Sequence, residues 1–204
     1  MKHSESEVNV WVPLLGAKRE LKPFRHCVDS SFYPKSVSRR VLTWLADEVN
    51  WRYGRTAFYE QFAIPLMDVE IPKDLLPAFS QRSLGLLRRQ VENHFQTALE
   101  PNVDIAALKF VQGHGIGVHT DFGEEPESHR VVVQLNRGRI ASQGGELVFL
   151  RTRRETDVDL IFSQAHNLAI AFEIGPNSYH ALSEVESGEC YMVVYSFRPL
   201  PKRA

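Results

Sequence analysis

From Asp104 to Pro199 the chain is a succession of short β-rich runs, IAALKFV, HRVVVQLN, GELVFL, VDLIF, NLAIAF, SYHAL and CYMVVYSF. Gly, Asn, Asp and Pro part them, and no segment at helical spacing interrupts them. Runs of Val, Ile, Phe and Tyr bounded by turn formers read as strands. About eight strands in succession bury their apolar faces by folding over one another as an antiparallel sandwich or small barrel. Two amphipathic helices precede them. In PKSVSRRVLTWLADEVNW, the residues Val37, Val41, Leu42, Leu45, Ala46 and Val49 share one side, with Pro34 upstream and Ser36 as N-cap. Over residues 81–99 the same spacing runs through Leu84, Leu87, Val91, Phe95 and Ala98, and Pro101-Asn102 closes the element. Residues 1–33 have no sustained period beyond a short strand around Val8–Val12. The stretch from Arg52 to Pro77, with Pro65, Pro72 and Pro77, reads as a loop with short extended pieces.

These patterns predict a mainly β protein with flanking helices. Residues 1–204 form one domain, divided into a helical support and lid region (1–103) and a β core (104–199). A length of 204 residues suits one well-buried core, and 43% hydrophobic with 24% charged residues is an ordinary globular composition. Lys+Arg 24 against Asp+Glu 25 creates no global field to attract nucleic acid or an anionic membrane. Arg151, Arg153 and Arg154 form a local basic cluster. Cys27 and Cys190 lie far apart, which argues against a disulfide framework and fits a reducing compartment. No uncharged run approaches the ~20 residues that cross a bilayer, and MKHSESEVNV lacks a signal-peptide core, so the chain reads as soluble and cytoplasmic.

The chemistry is concentrated in GHGIGVHTDFGEE, where His119 and Asp121 stand two apart after a glycine-rich turn. On a strand, residues i and i+2 face the same way, which aims an imidazole and a carboxylate at one site. A second histidine from a distant strand would complete a 2-His-1-carboxylate triad, and His180 in NSYHALSEVESGECY is the candidate. Such a set occupies one face of an octahedron and leaves three positions open. Alone, a His-x-Asp tripeptide is common by chance. The ordered context HTD, RVVVQLN, GGELVF, NLAIAF, YHALSEVESGECY raises its weight.

In that order the chain resembles the 2-oxoglutarate/Fe(II)-dependent oxygenases, particularly their prolyl-hydroxylase-like branch. The likeness covers residues 104 to about 199 in motif order rather than close identity. It implies a double-stranded β-helix core with the N-terminal helices packed outside, and His119, Asp121 and His180 as catalytic iron ligands. It further implies Fe(II), 2-oxoglutarate and dioxygen (O2) as cofactor and co-substrates, with 2-oxoglutarate decarboxylated to succinate as a substrate is hydroxylated. A carboxylate at position 121 favours hydroxylation over the halogenation of relatives with a small residue there. Gln134 falls where relatives often place a tyrosine that bonds the co-substrate.

The pattern breaks at the last strand. Where relatives carry a Lys or Arg for the far carboxylate of 2-oxoglutarate, this chain has Cys190, and a thiol offers no charged fork. Arg130 and Arg198 are the candidate replacements. Arg130 has the parity of Val132 and Gln134; Arg198 lies eight residues from Cys190, roughly 26 Å at ~3.3 Å each, so Arg130 is preferred. His114 is expected as a solvated loop residue, His129 as outward-facing and His94 as packed and hydrogen-bonded. The expected substrate is a small molecule or amino-acid-like compound, entering at a mouth covered by 52–77 and 122–128; the sequence does not fix the oligomeric state. Three other readings follow: an AlkB-like nucleic-acid dealkylase, an iron oxidase of the same fold that dispenses with 2-oxoglutarate, and a non-catalytic metal-binding barrel module.

Overall fold

The computed structural model describes residues 11–201 apart from 124, 125 and 139, so most of the strand expected around Val8–Val12 lies outside the described residues. In chain order the elements are β1 (Lys18–Glu20), β2 (His26–Asp29), α1 (Lys35–Asp47), β3 (Arg52–Arg55), β4 (Tyr59–Pro65), α2 (Gln81–Phe95), β5 (Leu99–Val111), β6 (Gly115–His119), β7 (His129–Leu135), β8 (Leu147–Leu150), β9 (Val158–Phe162), β10 (Leu168–Glu173), β11 (His180–Leu182) and β12 (Glu189–Pro199). All pairings are antiparallel, in one curled sheet of order β1-β2-β10-β7-β12-β5-β4-β6-β11-β8-β9, with β3 on β4.

Alternation along β7 and β12 shows why this sequence makes two layers. Val131, Val133 and Leu135, with Val193, Tyr195 and Phe197, pack on one face against Val41, Leu45, Leu87 and Val91 of the helices. Val132, Met192 and Val194 point to the other face and meet Leu147, Phe149 and Leu182 from the opposing strands. Each fully buried Val or Leu contributes about 1.5–3 kcal/mol, so a one-residue slip of either strand would exchange the two cores. This is a double-stranded β-helix with helices outside, as the resemblance implies, and a form of the antiparallel sandwich or small barrel that the patterning predicts.

The first half of the chain contributes more than support. β2 pairs with β10, and β4 joins β5 to β6, so Tyr59–Pro65, within the stretch expected as a loop, is built into the sheet. Both helix boundaries also shift. α1 begins at Lys35 behind Pro34, without a side-chain cap, which places Ser36 inside the first turn. α2 is capped by Ser80, whose hydroxyl accepts from the Ser83 amide, and ends at left-handed Gln96. Pro101, expected to close that helix, lies in β5, where the register with β12 shifts between Leu99–Pro199 and Val103–Phe197. A residue without an N–H is tolerated at such an irregularity.

His129 faces away from the barrel interior, as its parity requires, but α2 covers it: 3% exposed, its ring is 4.8 Å from Phe95. Burial, aided by the charge of Arg25, pushes its imidazole down to about 4. Because the folded value lies below the unfolded one, its contribution is complete above pH ~6.5 and is lost as pH falls toward 4. Denaturant titrations at pH 7.5 and pH 4 should differ by about 3 kcal/mol from this residue, a difference that His129→Phe should remove.

Candidate metal centre

His119 ends β6, and its register partner on β11 is His180. The glycines before His119 are required by close approach: a Cβ on Gly115 would lie 3.1 Å from the Leu182 carbonyl oxygen, and one on Gly117 3.3 Å from that of Phe58. Asp121 lies just beyond the strand, with φ 57, so strand parity is not what aims its carboxylate. A left-handed turn, which Asp tolerates better than most residues, folds it back toward His119. Ser178 fastens the two ligand-bearing segments, its hydroxyl donating to the Thr120 carbonyl.

Ligand atoms of His119, Asp121 and His180 all lie within 4.8 Å of one another. His119 Nε2 is 3.4 Å from Asp121 Oδ1, and His180 Nε2 is 3.1 Å from Oδ2. Each imidazole is oriented from behind: His119 Nδ1 donates to the Gly117 carbonyl (2.9 Å) and His180 Nδ1 to that of Ser178 (2.8 Å). A carbonyl only accepts, so Nδ1 carries the proton and the Nε2 lone pair of each neutral ring faces the shared space. Phe172 packs on His180 at 4.9 Å and Phe58 on His119 at 6.0 Å.

Charge follows this geometry. Burial would raise the Asp121 carboxyl, but the adjacent His119 and His180 rings and the Arg130 charge hold it well below the usual carboxylate range. Burial lowers the His180 imidazole, partly offset by Asp121; for His119 burial is again the largest single influence, but Asp121 and the Gly117 carbonyl together outweigh it and raise it. One permanent anion with two neutral nitrogens suits a divalent iron.

Arg130 does face this interior. Its Nη1 donates to Asp121 (2.5 Å) and its Nη2 to Glu127 (2.7 Å). Arg198 is not brought to the site; it pairs with Asp104 at 2.6 Å. Gln134 is fully buried on the same face of β7 as Arg130, and neither of its amide atoms has a hydrogen-bond partner. Beside the triad a cavity of about 290 Å³ runs inward. Arg130, Glu127 and Ser196 line it near the triad, and Phe110, Ile116, Leu147 and Leu182 line its inner part. Its lining contains one cation, Arg130.

His94 accepts from Arg19 and lies 2.9 Å from the Leu14 carbonyl, as expected. His114 is not solvated: 5% exposed, it stacks near Phe62 and Tyr53. Glu127 went unread in the sequence, although its three-residue spacing from Arg130 is a weak signal. The carbonyls of Gly117 and Ser178 leave no sequence signal, since every residue has one.

Fold and triad together define the class: a double-stranded β-helix protein with a His-x-Asp…His set that could hold a metal ion. No family model matches the chain, and no curated protein does. Among solved structures it is similar to a Pseudomonas putida prolyl-4-hydroxylase (TM-score 0.70, 15% identity, covering 86% of this chain and 93% of that one). It is also similar to a 2OG-Fe(II) oxygenase family oxidoreductase from Burkholderia pseudomallei (0.64, 16%, 87% and 88%). A third is the viral collagen prolyl hydroxylase of Paramecium bursaria Chlorella virus-1, in complex with 2-oxoglutarate (0.62, 12%, 86% and 96%). The fold is therefore that of the prolyl-hydroxylase-like branch the motif order resembles. No helix among the described residues is long and apolar enough to cross a membrane. Cys27 and Cys190 are both buried and form no disulfide.

Proposed function

We propose that this chain is a non-haem iron(II) dioxygenase that works with a chelating 2-oxo acid, 2-oxoglutarate being the one its resemblance implies, and hydroxylates an amino-acid-like substrate. The observation that carries this reading is the convergence of two Nε2 lone pairs and one carboxylate, each fixed by a partner behind it. Iron bound there would supply activation of dioxygen. His119, Asp121 and His180 would hold the metal from one side, leaving positions for co-substrate and oxygen. Phe172 and Phe149 keep water from the buried side of His180. Arg130 holds Asp121 in its anionic form and orients it.

The substrate reading rests on the mouth. Glu127, its side chain 14% exposed, sets a carboxylate at the mouth for a substrate's ammonium, and Arg130, 19% exposed and already held by Asp121 and Glu127, keeps that carboxylate in place. Exposed Phe58 and Phe122 flank the ligand segment. A prolyl hydroxylase of similar fold from Trichoplax adhaerens is in complex with a peptide fragment, so a proline-containing peptide is the comparison substrate. Against an AlkB-like dealkylase stands the final strand, whose single arginine is engaged by Asp104.

Anaerobic titration with iron(II) should saturate at one metal per chain, and a 2-oxo acid should then produce a visible metal-to-ligand charge-transfer band. On admitting oxygen, decarboxylation of that acid should accompany substrate oxidation. Iron uptake with substrate oxidation but no 2-oxo acid requirement would instead support the oxidase, and metal binding without oxygen uptake the non-catalytic module.

A further inference from the structure

The inner end of the cavity is built for an uncharged group. Register places Cys190 opposite Phe110, and Met192 between Leu108 and Gln134. Phe110, Cys190 and Gln134 are each 0% exposed. Among the described residues, the cations on the neighbouring strands and loops are committed elsewhere. Lys109 points to the other face of β5, where it pairs with Glu189 at 2.7 Å and covers the Tyr191 ring. Arg137 lies outside, 3.8 Å from Asp47, and Arg198 is held by Asp104. Arg130 is four residues from Gln134, about 13 Å along β7, and two carboxylates already occupy it.

A dicarboxylic 2-oxo acid chelating the metal and reaching inward would therefore bring its second carboxylate among Phe110, Leu147 and Leu182 with no counter-charge, which is strongly unfavourable. Gln134, by contrast, has an N–H donor pair and a carbonyl oxygen with nothing to bond. Buried polar groups in native proteins are rarely left so, and this one lies beside Met192, which lines the cavity. The far end of 2-oxoglutarate does not fit this lining as its metal-chelating end fits the triad.

We propose that the co-substrate pocket selects a 2-oxo acid with an uncharged, hydrogen-bonding tail, received by the Gln134 amide beside Cys190, in preference to a dicarboxylate. The proposal rests on the iron and 2-oxo acid reading above. Gln134 acts here as a specificity residue and takes no part at the metal.

The test is binding alone, on the wild-type protein loaded anaerobically with iron(II). Charge-transfer absorbance is titrated with 2-oxoglutarate and, separately, with its 5-methyl monoester, which keeps the skeleton and a carbonyl acceptor but removes the second charge. The monoester should bind at least tenfold more tightly, and Gln134→Leu should weaken the monoester about tenfold while iron stoichiometry stays unchanged. Equal or tighter binding of 2-oxoglutarate by the wild type overturns the proposal, as does a Gln134→Leu variant with unaltered monoester affinity. Iron uptake with no band from either acid also overturns it, together with the 2-oxo acid part of the functional reading. Failure of iron to bind overturns the metal centre itself, so the levels of failure are separable.

Discussion

Asp121→Asn is expected to lower iron(II) affinity by about 100-fold or more while the chain remains folded. Substitutions that only reorient a ligand typically cost 10–100-fold, and this one removes the single negative charge of the triad. Asparagine keeps the size of the side chain, an oxygen that accepts from Arg130 and an amide N–H that can face the His180 Nε2 lone pair, so the change should be confined to the metal. The loss of charge leaves Arg130 with Glu127, at 2.7 Å, as its remaining carboxylate. Anaerobic equilibrium dialysis measures the affinity, and far-ultraviolet circular dichroism confirms the fold. Stoichiometric, tight iron in the Asn variant would mean that the metal binds elsewhere.

Gly144→Ala should be the most damaging single-methyl change in the chain, destabilising it by more than about 3 kcal/mol. Gly144 has φ +67, and an added Cβ would come within 1.9 Å of the Glu184 carbonyl oxygen and 3.1 Å of the Glu186 amide nitrogen. Both neighbours are backbone, so relief requires moving the chain that follows β11. The segment is tied in by the Gly144–Val185 bridge and by the Gly145 amide, which donates to the same Glu184 carbonyl. Displacing it would disturb β11 and, with it, His180. Thermal unfolding should therefore fall steeply, and iron affinity with it. Gly138→Ala, where φ is also positive but no heavy atom lies within 4 Å of the added Cβ, should cost far less and leave iron binding intact.

What could be read in advance depended on whether a feature leaves a periodic trace. The alternation of Val131, Val132, Val133 and Gln134 announces a strand with two buried faces, and the structure uses both of them. The ligand residues were legible because His-x-Asp and a distant histidine sit in a recognisable order. The reason Asp121 points inward was not, because a positive φ on a non-glycine residue has no sequence signature. β3 and β4 were hidden for a similar reason: prolines and aromatics mark irregular chain, while pairing with β5 and β6 is decided by partners about fifty residues away. His129 faces outward as parity requires, but parity tells which face a residue takes and not that α2 covers it. Arg198, set aside on distance from Cys190, is held by Asp104, whose register partner across β5 and β12 is Ser196, and no sequence pattern announces that pair.

The account depends on one cation being shared by three side chains. Crystals grown without oxygen in the presence of iron(II), with diffraction recorded on both sides of the iron absorption edge, test this directly. The expected result is a single strong anomalous peak at bonding distance from Nε2 of His119, Nε2 of His180 and a carboxylate oxygen of Asp121. A peak coordinated by other residues, or none at these three with iron in excess, would contradict it.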